Sequence, residues 1–182
     1  MTVTDKSQQR SRFHVGMRNF KTALAAMLCA LLYFPIKRNP TFACIGAIFG
    51  MSGSKENSFQ GGGNRLFGTI IGGVIGMLLF SIYIVFYPEG GMHPLMLLLL
   101  FIGVISLIIT SQLIHWTGAI QPGGVMLCII LFNTPVETYI SYSVNRIFDT
   151  AFGVMIAIII NYLMPRERVL RLLAFFKIKG DD

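Results

Sequence analysis

Long apolar runs separated by short polar stretches set the pattern of this chain. Windows of roughly 18 or more apolar residues, the length that crosses a bilayer as a helix, fall near Leu66 to Tyr87, Pro94 to Thr110 and Ile147 to Met164. Thr22 to Pro35 is shorter and needs the turn holding Arg18 and Lys21 to complete a crossing. Phe42 to Met51 and Ala119 to Phe132 are shorter still. The pattern predicts an all-α, polytopic membrane protein with six transmembrane helices in a single integral membrane domain over 1–182. Beyond Pro165, Val169, Leu172, Leu173 and Phe176 share one helical face with basic residues elsewhere, which predicts a short amphipathic helix over 166–180 lying on the cytoplasmic leaflet.

Two stretches read almost alike. Asn64-Arg65-Leu66-Phe67-Gly68-Thr69-Ile70-Ile71-Gly72 aligns with Asn145-Arg146-Ile147-Phe148-Asp149-Thr150-Ala151-Phe152-Gly153. At the same offset Phe42 to Met51 falls on Gly123 to Phe132, and Arg18 to Phe34 falls on Leu99 to His115. Polar residues match as well as apolar ones. The chain therefore reads as two copies of a three-helix unit, about 14–88 and about 94–165. An odd number of crossings per copy inverts the second relative to the first, an arrangement common in transporters.

Composition agrees with the membrane class. The 182 residues are 54% hydrophobic and 13% charged, about half the charge of a soluble domain, and the mean hydropathy is +0.67. The net charge of +7 is a topology signal rather than a nucleic-acid footprint. Lys6, Arg10, Arg12, Arg18 and Lys21 precede the first span, Lys55 and Arg65 lie between the second and third, and Arg166, Arg168, Arg171, Lys177 and Lys179 follow the last. Only Lys37, Arg38 and Arg146 fall on the other side. Basic residues mark cytoplasmic loops, so both termini and the 52–64 loop are expected in the cytoplasm. The basic leader is too long for a signal peptide and lacks a small-x-small cleavage site, so the first helix is expected to stay attached.

Apolar burial cannot hold helices together inside lipid, so small residues must allow close approach. They recur every four positions: Thr22, Ala26 and Ala30; Gly46, Gly50 and Ser54; Gly68, Gly72 and Gly76; Asp149, Gly153, Ala157 and Asn161. These stripes are expected to bring the second and third helices, with the first, into tight contact. The short second and fifth spans adjoin irregular backbone at Met51 to Ser54 and Gly118 to Gly124. Matching short or interrupted spans in two copies are the best sequence pointer to a transporter's binding site.

Chemistry-bearing residues are few. Cys29, Cys44 and Cys128 share no metal-ligand spacing and read as small buried hydrophobes. His14, His93 and His115 stand alone near span ends and read as interfacial. With no paired carboxylates, nucleophile motif or phosphate loop, neither an enzyme nor a cofactor or metal site is expected. Four basic residues, Arg18, Lys21, Arg65 and Arg146, lie at span ends, where snorkelling to headgroups competes with a role inside the bundle. The repeat makes Arg65 and Arg146 equivalent, one at each mouth of a central path, an arrangement that favours anions. Asp149, three residues from Arg146, can pair with it on one helix face, leaving Arg65 as the stronger anion contact. Ser52, Ser54 and Ser58, with the amides around Gly61 to Gly63, are candidate neutral donors near the cytoplasmic mouth.

The same residues carry a family resemblance. Gly16-Met-Arg18-Asn-Phe-Lys21-Thr22-Ala23, Phe42-Ala43, Ser54 with Ser58, Arg65-Leu-Phe-Gly68-Thr69 with Gly72, and Asn145-Arg146-Ile-Phe-Asp149-Thr150 with Gly153 resemble the aromatic acid exporter family, itself related to the fusaric acid resistance proteins. The similarity covers roughly residues 14–165. It implies a six-helix module of the bacterial cytoplasmic membrane that exports aromatic carboxylates or similar organic anions, with Arg18, Lys21, Arg65 and Arg146 as the basic residues of the path. Plant aluminium-activated malate transporters are distantly similar, which implies a homo-oligomer, a dimer in the first instance, and a passive anion channel as the alternative to coupled export. Longer family members carry a cytoplasmic C-terminal domain, and the expectation here is a membrane module without it. A non-transporting scaffold that assists another membrane protein is the reading of a different class. The expected partners are the lipid bilayer and a small organic anion, not nucleic acid.

Overall fold

A computed structural model of the protein describes residues 17–52 and 55–164. Ser54, His14 and the expected amphipathic helix lie outside the described residues. Six α-helices are present among them: α1 (Met17–Tyr33), α2 (Thr41–Gly50), α3 (Lys55–Phe86), α4 (Pro94–Leu113), α5 (Ile120–Asn133) and α6 (Tyr139–Leu163). A single 3₁₀ turn, Thr117–Ala119, leads into α5. The helices begin and end where the sequence punctuates them. Pro94 opens α4 after an extended His93, a position where its missing N–H costs nothing. Gly90 and Gly91 supply positive φ, 74° and 91°, for the turn between α3 and α4.

Among the described residues three helices are long and apolar enough to cross a membrane: Asn57–Phe86, Pro94–Leu113 and Tyr139–Leu163. The other three are shorter. The ten residues of α2 rise about 15 Å, half of a hydrocarbon core roughly 30 Å thick.

In one respect α3 departs from expectation. It starts at Lys55, so the 52–64 stretch is mostly helix and the amides of Gly61 to Gly63 lie within it rather than forming an open donor loop. Three consecutive glycines disfavour a helix by about 1 kcal/mol each, and packing reverses that preference. A Cβ on Gly62 would sit 2.5 Å from Val154 Cγ1, and one on Gly63 would sit 2.8 Å from the Trp116 ring. The bare backbone lets α6 and the 3₁₀ turn approach this part of α3. Likewise Gln121 to Gly124 belong to the first turns of α5, and the irregular backbone stops at Ala119.

The expected contacts of α2 with α3 and with α1 are present, but the closest packing lies elsewhere. The stripe on α2 faces α6 and the stripe on α3 faces α5, and these are the most extensive helix pairs. A Cβ on Gly46 would lie 2.7 Å from the Thr150 carbonyl oxygen, and one on Gly153 would strike the Ala43 carbonyl. On the other side, a Cβ on Gly72 would strike the Gly123 carbonyl. The long helix α6 thus packs on the short helix α2, and the long helix α3 on the short helix α5. Two cores result. One joins α1, α2 and α6 through Ala25, Cys29, Ala43, Ala47, Met51 and Ala157. Another joins α3, α4 and α5 through Phe80, Tyr83, Leu99, Leu127 and Ile130. Contacts between α3 and α6 tie the two groups together.

The outer surface is apolar, with Leu97, Leu98, Phe101, Ile105 and Ile109 of α4 all exposed, as a lipid-facing helix requires. Of the cysteines, Cys29 is buried and Cys44 partly so, whereas Cys128 is exposed, contrary to its expected burial. Its place on α5 faces away from both cores.

Candidate functional site

Polar side chains gather at three places inside this apolar bundle. At the N-terminal end of α1, Lys21 is 6% exposed and its Nζ donates to Asn161 Oδ1 at 3.2 Å. Asn161 Nδ2 in turn donates to Ser58 Oγ at 3.0 Å, which also accepts the Ser52 backbone N–H at 2.8 Å. The network joins α1, α6, the start of α3 and the end of α2. Ser58 therefore serves the fold as an internal acceptor. Arg18 stays exposed on α1, where its carbonyl accepts the Thr22 hydroxyl.

Arg65 occupies a second place, deeper along α3. It is 9% exposed and its guanidinium lies 5.5 Å from the centre of the Phe49 ring, within cation–π range. Its Nε is buried without a hydrogen-bond partner, and among the described residues no carboxylate pairs with it. It walls a cavity of about 360 Å³ with Phe49, Asn64, Gln121, Pro122 and Val125. A neighbouring cavity of about 340 Å³, lined by Gln60, His115, Trp116 and Thr117, shares Asn64 and Gly118 with it. Trp116 Nε1 is likewise buried and unpaired. One cation, amide side chains and apolar or aromatic walls surround the space. That is a suitable receptor for an amphipathic anion. Burying a cation without a counter-charge costs several kcal/mol, so the arrangement is poised to gain from an anion.

At the opposite end of α1, Asp149 is 2% exposed and held from several sides. Tyr33 OH donates to its Oδ1 at 2.8 Å, and Arg38 Nη2 lies 2.8 Å from the same oxygen. Arg146 reaches its Oδ2 at 3.8 Å. The expected pairing of Arg146 with Asp149 thus exists but is the looser of the two. Arg146 instead rests between the Phe42 and Tyr142 rings, 3.8 and 4.3 Å from their centres. Arg38 also donates to the Asn145 side chain at 3.2 Å.

The structure therefore separates the candidate residues: Lys21 with Ser58, Arg65 alone, Arg146 with Asp149, and Arg18 apart. Sequence reasoning missed Tyr33, Arg38 and Phe42. A signal for Arg38 existed, because it and Arg146 fall on the same side in the basic-residue pattern. Trp116 had none, since its approach to Arg65's cavity depends on the turn before α5.

Other polar groups fit an anion less well. A cavity of about 460 Å³ between α3, α4 and the α5–α6 loop is lined by Glu89 and Glu137, which repel anions. His93 stacks on Tyr87 with ring centres 3.8 Å apart and its Nδ1 bonds the Tyr83 hydroxyl at 2.8 Å, a structural clasp at the end of α3. Among the described residues no three His, Cys, Asp or Glu side chains gather to hold a metal.

A bundle with a buried guanidinium beside a cavity, paired with no carboxylate among the described residues, can be set against known proteins. No curated protein and no solved structure matches the chain. The family model for aromatic acid exporter family member 1 matches residues 13–164, most of the length. The chain belongs to that family, and it is a membrane protein whose family points to transport rather than catalysis.

Proposed function

We propose that the protein exports organic anions, aryl carboxylates first among them, across the bacterial cytoplasmic membrane. In this reading it is a homodimer of six-span inverted repeats with both termini cytoplasmic. The observation that carries it is Arg65: a buried guanidinium with no carboxylate partner among the described residues, facing a cavity with aromatic and amide walls. A carboxylate there gains charge-assisted hydrogen bonds from the guanidinium, while its apolar body meets Phe49, Pro122 and Val125. Arg18 and Lys21 add positive charge at the same end of the bundle and raise the local concentration of anions.

The inverted repeat finds support in the reciprocal packing. Gly72 and Gly153, equivalent in the aligned stretches, each press on the short helix of the other copy. Those short helices, α2 and α5, hold matching positions, as transporter binding sites do.

Efflux of benzoate from liposomes containing the purified protein tests the reading. Arg65→Ala should lower the rate at least about tenfold, a loss of about 1.4 kcal/mol in anion stabilisation. Equal efflux in wild type and variant would remove Arg65 from the mechanism.

A further inference from the structure

At the Arg38 end, several donors converge on one carboxylate that belongs to the chain itself. Arg38 and the Tyr33 hydroxyl both meet Asp149 Oδ1 at 2.8 Å, and Arg146 approaches Oδ2 at 3.8 Å. The Arg146 guanidinium is flanked by the Phe42 and Tyr142 rings, and its Nε is buried with no partner. Two guanidinium groups, a phenol and aromatic walls are the donor set of a carboxylate receptor. The matching place in the first copy has the same arginine but Gly68 where Asp149 stands, and there no carboxylate pairs with Arg65 among the described residues.

We propose that Arg38, Tyr33 and Arg146 form a second carboxylate-binding site, at the end of the bundle opposite Arg65, whose present occupant is the tethered side chain of Asp149. The role of this site in transport rests on the reading of Arg65 as the anion entry point; its existence does not. A tethered group competes at high effective concentration, so a free anion arriving at the Arg38 end meets a receptor already filled. One arriving at Arg65 meets an unpaired cation. The two ends of the path thereby differ in their affinity for a free anion. A carboxylate leaving through Arg146 exchanges with Asp149, and Asp149 returns to close the site behind it.

Benzoate titration of the purified protein by calorimetry tests this. Wild type should show one binding event per chain, lost in Arg65→Ala. Asp149→Ala should add a second event, at least about tenfold tighter than any second event in wild type. That added event should survive Arg65→Ala and vanish with Arg38→Ala. A folded Asp149→Ala protein without the added event overturns the proposal. If that variant is destabilised, acetate should restore its melting temperature toward the wild-type value and acetamide should not, because the vacated donors accept a free carboxylate. Failure of acetate to do so equally overturns it. Should wild type show no event while Asp149→Ala gains one, the second site stands and the reading of Arg65 falls.

Discussion

Arg65 and Arg146 begin the same nine-residue motif yet sit in opposite electrostatic states. Arg146 has two aromatic faces and a carboxylate one turn along its own helix. Arg65 has one aromatic ring at 5.5 Å, an open cavity and no carboxylate partner among the described residues. The divergence traces to one aligned position. At Gly68 a Cβ would lie 2.5 Å from both the Ala119 carbonyl oxygen and Pro122 Cγ, so this position is given over to close approach of the turn into α5. At Asp149 the equivalent position faces Tyr33 and Arg38 and carries a charge. Two aligned helix positions thus serve different ends, packing at Gly68 and a counter-ion at Asp149. Where the position is given to packing, no carboxylate among the described residues pairs with the nearby arginine.

The features the two copies share should produce the largest effects when broken. Gly72→Leu and Gly153→Leu each drive a side chain into the backbone of the partnered short helix. Both should abolish recovery of monodisperse protein, to similar extents, by size-exclusion chromatography. A variant of either that purifies normally would break the reciprocal packing of the long helices.

Next in size is a difference of sign. Arg146→Met removes two aromatic contacts and one partner of Asp149. It should lower stability by about 1–2 kcal/mol, the scale of a desolvated cation–π contact. Arg65→Met removes a buried charge that no carboxylate among the described residues compensates, so its melting temperature should stay level or rise. Thermal unfolding of the two variants in one detergent compares them directly. A matching loss in both would mean that Arg65 has a counter-charge after all.

Comparable in size, and outside the aligned stretches, is Ser58→Ala. It removes the oxygen that accepts the Ser52 N–H and one hydrogen bond from the Asn161 amide. A cost of about 1–3 kcal/mol is expected for the unsatisfied groups, less whatever water recovers at the partly exposed Ser52. Unchanged thermal unfolding would show that the network carries no weight.

Much of this was legible in the sequence, and the remainder was hidden for identifiable reasons. The apolar windows located the six helices of the described residues, three of which are as long as a bilayer is thick, a length of apolar chain that suits a helix in lipid and little else. Their ends were less visible. Residues 55–64 carry no apolar period, and their helicity comes from Val154 and Trp116 closing on bare glycine backbone. Which stripe faces which was also not encoded locally, since any small-residue stripe fits any other. The alignment of Arg65 with Arg146 was visible, as was Asp149 one turn on. What stayed hidden was that Arg38, reaching in from the loop between α1 and α2, takes Asp149 more closely than Arg146 does. An i,i+3 pair announces itself in sequence; a loop arginine folding back on a helix more than 100 positions away does not.

The central claim is that Arg65 is the cation an organic anion meets first. The chain holds one tryptophan, Trp116, in the cavity adjoining Arg65's, so its fluorescence reports occupancy of that space. Benzoate should change Trp116 emission saturably in wild type, and Arg65→Ala should weaken the apparent affinity at least about tenfold. Identical titrations in the two proteins would contradict the account.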